Sequence, residues 1–342
     1  MTGRERIRAA LSGTGAEASG AVICYEGIFV RDHWDALTGL PWWYAEAPDP
    51  DLQLAWRRRA IPRTGLDWFH LPQCPSREYR ARYTVEEREG RVVRLDRVTG
   101  TARELSRPRI GGWGGPGLHS VHPESLAITA AAIEQSVPDP PERDPAEVRR
   151  DGRADLADLL LAELGGERYP LVHVASPLWR CYQLWGFEGM MTMVATRPDL
   201  VERVCHRGLA LERFAVREAA ALGAAGIWIE ECLTDMIAPR AFARLNLPVL
   251  QELVAEIRAA GMQSIYYYCG DPRDRWDLLY AVGADALSLE ESKKGFTVEI
   301  EEAVDRAGGR AALLGNLDAI GVLQDGGEEE LRREVARQLA AG

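Results

Sequence analysis

Several features that would place a chain of this length in a specialised class are missing from the sequence. Although 46% of the 342 residues are hydrophobic, no window approaches the ~18 uninterrupted apolar residues of a membrane-spanning helix. The first 20 residues are polar and charged, and they lack the apolar core of a secretory signal peptide. These absences predict a cytoplasmic protein, with no membrane partner, whose apolar residues form a large internal core.

Cysteine motifs and excess positive charge are missing as well. The cysteines stand singly at positions 24, 74, 181, 205, 232 and 269, and none belongs to a CxxC motif. Such scattered cysteines are typical of a reducing compartment rather than of a disulfide framework. The formal net charge of -11 argues against nucleic acid or an anionic membrane surface as a partner. The length fits one large barrel or two modest domains.

What the sequence does contain is a strand, a tight turn, a helix and a second strand. Residues 264–268 form an apolar and aromatic run typical of a strand, followed by a Gly-Asp-Pro turn and a helix expected to end near Val282. The second strand is predicted at Ala286–Leu289. This order predicts a βαβ unit with parallel strands.

Polar side chains stand at the ends of these two strands and of others. Tyr267 and Cys269 are two residues apart, so they share one face of the first strand. Glu290 follows the second strand, while Glu231 and His70 end strands predicted earlier in the chain. In a parallel barrel the carboxyl ends of the strands form one rim, which is where such barrels carry their chemistry.

The remaining elements follow from periodicity and turn signals. Thr2 and Glu5 form a capping-box pattern that opens an N-terminal helix. Alternating residues between 79 and 105, interrupted by Glu-Gly and Thr-Gly turns, predict an antiparallel insert of two or three strands. Further strands are predicted at 21–25, 67–71, 169–175, 227–229 and 311–314, and helices at 51–64, 152–165, 198–222, 247–260 and 328–341.

Short motifs in this framework resemble the uroporphyrinogen decarboxylase superfamily, which includes corrinoid and coenzyme M methyltransferases. Members often read H-I-C-G, then a helix, then G-A-D-A-L-S and later G-N. Here residues 267–270 read Y-Y-C-G, residues 283–288 read G-A-D-A-L-S, and residues 315–316 read G-N. The opening T-G-R-E-R at residues 2–6 is also similar to the start of family members.

This resemblance implies a (β/α)8 TIM barrel that occupies residues 1–342 as a single domain with an N-terminal helix. The predicted β-hairpin insert at residues 79–105 would project from it. Seven barrel strands are counted in the sequence, so we expect the closing strand beyond Gly342 or in a stretch not recognised as a strand.

The resemblance also raises the question of a metal. In the zinc-dependent methyltransferase branch, the His and Cys of H-x-C bind the metal together with a Cys near the C-terminus. This chain has Tyr267 in place of that His and no cysteine after Cys269. If zinc binds, Cys269 and Glu231 are its expected ligands, and the absence of any cofactor is an equally open expectation.

Tyr267 offers a different chemistry from the histidine that it replaces. A phenol with a pKa of about 10 is a poor zinc ligand near neutral pH, but it can donate a hydrogen bond or act as a general acid. The alternative is that Cys269 is a small buried hydrophobe and that the tyrosines fill the core. The predicted catalytic residues are Tyr267, Glu231, Glu290 and His70, and the predicted substrate-binding residues are Tyr25, Trp179, Asp235, Lys293 and Asn316.

Three functions remain open from the sequence. The first is a methyltransferase or demethylase that moves a methyl group from a small O-, N- or S-methyl compound to a thiol or to a corrinoid on a partner protein. The second is a cofactor-free decarboxylase, a carboxy-lyase for a small carboxylate or a porphyrin-type substrate. The single arginine between residues 27 and 34 counts against a tetrapyrrole polycarboxylate. The third is a non-catalytic barrel that binds a ligand or a partner, and in each case the chain is expected to act as a monomer or a homodimer.

Overall fold

The computed structural model describes residues 1–13, 23, 34–107, 128–290 and 295–342. Within these ranges the chain alternates between helices and strands, as the sequence predicts. The strands are β1 (Trp68–His70), β2 (Tyr83–Arg88), β3 (Arg91–Asp96), β4 (Ala102–Glu104), β5 (Tyr169–Ala175), β6 (Gly226–Cys232), β7 (Gln263–Cys269), β8 (Ala286–Leu289) and β9 (Ala312–Leu314).

The helices lie before, between and after these strands. Two short 3-10 turns, at Trp42–Ala45 and Thr234–Met236, and a π-type turn at Ala319–Gln324 complete the described elements. The α-helices are α1 (Gly3–Leu11), α2 (Trp34–Thr38), α3 (Pro50–Thr64), α4 (Arg77–Arg82), α5 (Ala130–Ser136), α6 (Glu147–Arg150), α7 (Asp155–Leu164), α8 (Trp179–Thr196), α9 (Pro198–Leu222), α10 (Pro239–Leu245), α11 (Leu247–Ala259), α12 (Trp276–Ala281), α13 (Ile300–Ala307) and α14 (Glu328–Ala341).

The main sheet is a half-barrel of parallel strands in the order β1-β5-β6-β7-β8-β9. Trp68 of β1 and Leu314 of β9, at opposite ends of this sheet, belong to one hydrophobic cluster with Ile7 and Leu11 of α1. The cluster takes residues from every strand of this sheet, so one face of the half-barrel forms a continuous apolar layer. The predicted strand at residues 21–25 lies outside the described residues.

The predicted βαβ unit around residue 270 is confirmed. β7 and β8 pair in parallel, with Ile265 opposite Ala286 and Tyr267 opposite Ser288. Because successive side chains of a strand point to opposite faces, this register decides which residues enter the barrel and which meet the helices.

The two faces of the sheet have different packing. Trp228 and Ile265 face inward with Trp68 and Tyr169. Ile227, Ile229, Tyr266, Tyr268 and Leu287 pack in the large cluster formed with the helices, which includes residues of α8, α9 and α11. We call these two sides the inner face and the outer face.

The predicted insert is a separate antiparallel sheet of β2, β3 and β4. Its first turn has positive φ at both central residues, 50° at Glu89 and 74° at Gly90, as the two-residue turn of a tightly twisted hairpin requires. The insert begins later than predicted, because residues 79–82 belong to α4. A polar helix that is only six residues long gave too few turns for its periodicity to be recognised.

Helices were predicted well where their apolar pattern is continuous. The bounds predicted for α9 and α14 match the structure, and the capping box of Thr2 and Glu5 opens α1. Helices α8, α10 and α13 were not predicted. Within α8, Gly186 has the non-helical angles φ 67° and ψ -173°, so a kink interrupts the spacing on which such a prediction depends. In the described ranges, no helix has both the length and the apolarity needed to span a membrane.

Candidate active site

The carboxyl ends of β5, β6 and β7 bring polar side chains onto the inner face of the sheet. On β6, Glu230 and Cys232 follow Trp228 at intervals of two residues, so they share its inward direction. The parallel register sets Glu230 opposite Tyr267 and Cys232 opposite Cys269. Four chemically capable side chains thus form two neighbouring pairs, which we call the inner rim.

Glu230 is held from two sides. Its Oε2 lies 2.9 Å from Nε2 of His173, which comes from the inner face of β5. Its Oε1 accepts a hydrogen bond from the thiol of Cys232 at 3.7 Å. The Glu230 side chain is only 11% exposed and that of His173 is 27% exposed. The carboxylate therefore has a fixed position and remains close to solvent through the imidazole.

Tyr267 links the rim to the next strand. Its hydroxyl donates to Oε1 of Glu290, just beyond β8, at 3.3 Å, and its ring stacks on Trp228 with 5.2 Å between centroids. Burial, together with the neighbouring groups Cys269 and Glu290, raises the pKa of Tyr267 well above its usual range. Tyr267 therefore keeps its proton at neutral pH and acts as a donor.

The two cysteines of the rim are thiols that contact each other. The side chain of Cys269 is within hydrogen-bonding reach of Cys232, and this contact, reinforced by burial, raises the pKa of Cys232 far above that of an ordinary thiol. Both residues are buried, and neither is in a disulfide. A thiol that keeps its proton is a poor nucleophile and metal ligand, so Cys232 is suited to neither role at neutral pH.

The other inward positions at the strand ends are also polar. His70 lies at the end of β1 on the inner side, two residues after the buried Trp68. Ser288 stands opposite Tyr267 in the register of β7 and β8. Asn316, beyond β9, donates from Nδ2 to the backbone oxygens of Val298 at 2.9 Å and Glu290 at 3.4 Å. The amide of Asn316 thus positions the segment that carries Glu290.

Glu231, predicted to belong to this site, does not lie at the inner rim. It follows Glu230 by one residue and therefore points to the outer face. There it is fully buried and accepts a hydrogen bond from Nδ2 of Asn246, the residue between α10 and α11. The predicted grouping of Glu231 with Tyr267, Cys269 and Glu290 in one cleft is therefore wrong for Glu231.

The environment of Glu231 is unusual for a carboxyl group. Among the described residues, Glu231 Oε1, Asn246 Oδ1 and the hydroxyls of Tyr266, Tyr268 and Thr234 are buried without a hydrogen-bond partner. Burial raises the pKa of Glu231 to about 8, although the hydrogen bond from Asn246 opposes the shift. A protonated carboxylic acid avoids the cost of a buried charge, so Glu231 is neutral when the protein is at pH 7.

Two predicted substrate-binding residues lie in segments that follow strand ends. Trp179 begins α8, shortly after β5, and its ring lies 4.7 Å from that of Tyr182. Asp235 lies in the 3-10 turn after β6, and its side chain packs on Gly270 so tightly that a Cβ there would come within 2.5 Å of it. Gly270 is thus needed for β6 and β7 to end side by side.

A buried arginine that was not predicted holds the turn after β6. Arg275 donates to the backbone oxygens of Thr234 and, at 3.0 Å, of Ile237, while Asp274 pairs with it at 2.7 Å. Its guanidinium is therefore occupied in binding backbone and carries no substrate role here. The predicted substrate-binding residues Tyr25 and Lys293 lie outside the described ranges.

The described residues do not fit the expected zinc ion. Cys269 and Glu231, the expected ligands, point to opposite faces of the sheet, and Tyr267 keeps its proton. Across the described ranges, no group of three His, Cys, Asp or Glu side chains is arranged to hold a metal. The proposed reaction of this chain therefore does not involve zinc.

Glu230 and His173 are the site residues that were missed. The predicted strand at residues 227–229 ended before Glu230, and its apolar residues gave no indication of which face was inner. His173 carried a usable signal, because it is the one imidazole in the otherwise apolar and aromatic run of β5, Tyr169–Ala175. Taking β5 and β6 as neighbours in the sheet would have brought these two residues together.

Comparison with known sequences gives a family match over the second part of the chain. The family model described as uroporphyrinogen decarboxylase (URO-D) matches residues 121–342. Proteins named uroporphyrinogen decarboxylase are similar at low identity. The one from Burkholderia thailandensis is 28% identical over 45% of this chain and 44% of its own length. The one from Xanthomonas euvesicatoria is 25% identical over 64% of this chain and 65% of its own length. The chain thus spans about half to two thirds of these curated relatives.

A solved structure is similar over the whole chain. It is a methyltransferase from Methanosarcina mazei, with a TM-score of 0.65 and 17% sequence identity, and the match covers 100% of this chain and 90% of the other. At that identity the likeness concerns the fold alone. The two comparisons therefore agree on the architecture, and the names of the matched proteins cover both decarboxylation and methyl transfer.

Proposed function

The chain belongs to the uroporphyrinogen decarboxylase family, and from this premise and the chemistry of its inner rim we propose that it is a methyltransferase. Members of this superfamily are enzymes, among them decarboxylases and methyltransferases. The donor would be a small O-, N- or S-methyl compound, and the acceptor a thiol or a corrinoid carried by a partner protein. Both acceptors are co-substrates in this proposal.

The observation that carries the proposal is the Tyr267–Glu290 pair beside the carboxylate of Glu230. Both glutamates are buried, at 2% exposure for Glu290 and 9% for Glu230, on the side of the sheet where this architecture binds substrates. Two acidic side chains offer a polycarboxylate no positive charge to pair with, whereas a neutral or cationic methyl compound needs none. The rim supports a small methylated substrate better than a tetrapyrrole with several acid groups.

The phenol of Tyr267 would supply the proton that the reaction needs. When a methyl group leaves an oxygen, the oxygen gains negative charge and departs more readily if it is protonated. Tyr267 retains its proton because of burial. The hydroxyl donates this proton to Glu290, and the heteroatom of the substrate would take the place of Glu290 as acceptor. His70 and Trp179 would line the same opening as substrate contacts, and Asn316 would act through the backbone of Glu290.

The finer architecture belongs to the same proposal. We expect the half-barrel to be completed to a closed (β/α)8 barrel, as in the family, with the three-stranded insert outside it. We also propose that the enzyme works in the cytoplasm on a small-molecule substrate, as a monomer or a homodimer.

A decarboxylase is the second candidate, because the curated relatives that are 28% and 25% identical to this chain are named uroporphyrinogen decarboxylase.

To distinguish the two functions, the purified protein should be incubated with a panel of methoxy-, methylamino- and methylthio-compounds and a thiol or cob(I)alamin acceptor. Methylated products are then measured by mass spectrometry. In a parallel incubation with uroporphyrinogen, the release of carbon dioxide should be measured. Methylated acceptor without carbon dioxide supports the proposal, and carbon dioxide release without methyl transfer would replace it with decarboxylation.

A further inference from the structure

The inner rim contains a continuous series of polar contacts that reaches from β5 to the end of β8. It begins at His173, whose imidazole meets Glu230, and passes to Cys232 and on to Cys269, which is its neighbour in the register. Tyr267, two residues before Cys269 on the inner face of β7, stands opposite Glu230 in the register. The proton donor of the proposed reaction is therefore connected to a carboxylate on the neighbouring strand.

Glu230 already has the geometry of a group that accepts a proton from sulfur. The thiol of Cys232 donates to Oε1, while the other oxygen is held by His173. An incoming thiol would take the place of Cys232 as the donor to Oε1. It would enter from the solvent side, where 27% of the His173 side chain is exposed.

Resting on the methyl transfer proposed above, we infer that the methyl acceptor is a thiol and that Glu230 is the base that activates it. His173 is the positioning residue that holds the carboxylate. The zinc-dependent branch leaves activation of a thiolate to its metal, and here the described residues do not fit that metal. The Glu230–His173 pair provides another way to remove the proton from the sulfur.

The proposed step balances in protons and electrons. The sulfur of the acceptor forms a bond to the methyl carbon, and the carbon–heteroatom bond of the donor breaks with its electron pair left on the heteroatom. The S–H proton passes to Glu230, and the Tyr267 hydroxyl protonates the heteroatom. Glu230 and Tyr267 stand opposite each other in the register of β6 and β7, so the proton on Glu230 can return to Tyr267 between turnovers. The products are a methyl thioether and the demethylated alcohol, amine or thiol.

The test compares methyl transfer to two kinds of thiol in wild type and in the variants Glu230→Gln and Glu231→Gln. Methyl transfer to an alkyl thiol, which is largely protonated at pH 7, is measured beside transfer to an aryl thiol, which is largely ionised. Glu230→Gln removes the base and keeps the shape, and Glu231→Gln makes the same change on the outer face. Since general-base catalysis contributes about 10²-fold or more, we expect Glu230→Gln to lose at least that factor in kcat/KM with the alkyl thiol. With the aryl thiol the loss should be less than about tenfold.

Two further comparisons test the assignment of the base, with Glu231→Gln as the control and His173→Gln as the variant of the positioning residue. Glu231→Gln should retain the wild-type rate with both thiols, and His173→Gln should show a smaller loss than Glu230→Gln, again relieved by the aryl thiol. An equal loss with both thiols in a folded Glu230→Gln protein, checked by circular dichroism, would overturn the assignment of the base. Transfer to cob(I)alamin without transfer to any thiol overturns this inference alone, and absence of methyl transfer to every acceptor overturns the proposed function with it.

Discussion

Glu230 and Glu231 are neighbours in one strand, yet their carboxyl groups occupy two unlike environments. Glu230 faces inward, is paired with an imidazole and a thiol, and keeps a route to solvent. Glu231 faces the helices, is fully buried, and holds its proton to a pKa of about 8. One residue of register thus separates a group suited to proton transfer from a group that lowers the stability of the fold when it ionises.

The comparison extends to β7. Tyr267 on the inner face donates to Glu290, whereas Tyr266 and Tyr268 on the outer face have buried hydroxyls without a described partner. The three residues are chemically identical, so their sequence gives no reason to choose among them. Their role is decided by the face to which each one points, and paired substitutions on the two faces are the most informative experiments.

The largest expected effect is on stability, at Glu231. The folded-state pKa of about 8 lies above the ordinary value of 4.5, so between these pH values the folded protein holds a proton that the unfolded chain releases. The free energy of unfolding should therefore fall by about 1.4 kcal/mol for each pH unit across this window, and should change no further from this group above it. Urea unfolding of wild type and Glu231→Gln at pH 5 and pH 8 measures this effect.

Wild type and Glu231→Gln share every other titrating group, so the difference between their free energies of unfolding reports on Glu231 alone. Glu231→Gln should be close to wild type at pH 5 and markedly more stable than wild type at pH 8. Parallel stability curves for the two proteins would show that Glu231 ionises as an ordinary carboxyl, and would contradict its assignment to the outer face.

The next effect is on catalysis, at Tyr267. Tyr267→Phe removes the proposed donor while keeping the ring, and we expect kcat to fall by about 10²-fold or more. Tyr266→Phe removes a hydroxyl from the adjacent residue on the outer face and should leave the rate near that of wild type. Steady-state assays with one methyl donor are sufficient, and full activity in Tyr267→Phe would reduce the phenol to a structural role.

The smallest expected effects come from substituting Asn246 and Asn316, and the two substitutions should differ in what they change. Asn246→Ala leaves Glu231 without its hydrogen bond and should cost about 1–3 kcal/mol of stability, with no specific change in kcat. Asn316→Ala releases the backbone beside Glu290 and should lower kcat as well as stability. Thermal unfolding and rate measurements on both variants test this, and an equal loss of kcat in the two would remove the distinction between the faces.

Much of this fold could be predicted because its strands and helices have continuous apolar patterns. The bounds of β5, β8, α9 and α14 match the sequence prediction, and the parallel pairing of β7 with β8 follows from the connection between them. Tyr267, Glu290 and His70 lie near the carboxyl ends of β7, β8 and β1, where the order of the predicted strands puts them. Their role in catalysis stays a prediction.

What could not be predicted depends on contacts between strands. β6 is buried on both faces, so its sequence does not indicate which of two consecutive glutamates points inward. The Glu230–His173 contact joins residues 57 positions apart, and it exists only because β5 and β6 are neighbours in the sheet. The role of Asn246 likewise depends on the contact that brings the junction between α10 and α11 to Glu231 of β6.

The most direct test of this account measures both activity and stability at pH 8 in Glu230→Gln and Glu231→Gln. We predict that Glu230→Gln loses about 10²-fold in kcat/KM with an alkyl thiol acceptor while its free energy of unfolding stays near the wild-type value. Glu231→Gln should keep the wild-type rate and become more stable. The reverse outcome, with activity lost in Glu231→Gln and retained in Glu230→Gln, would contradict the assignment of the two faces.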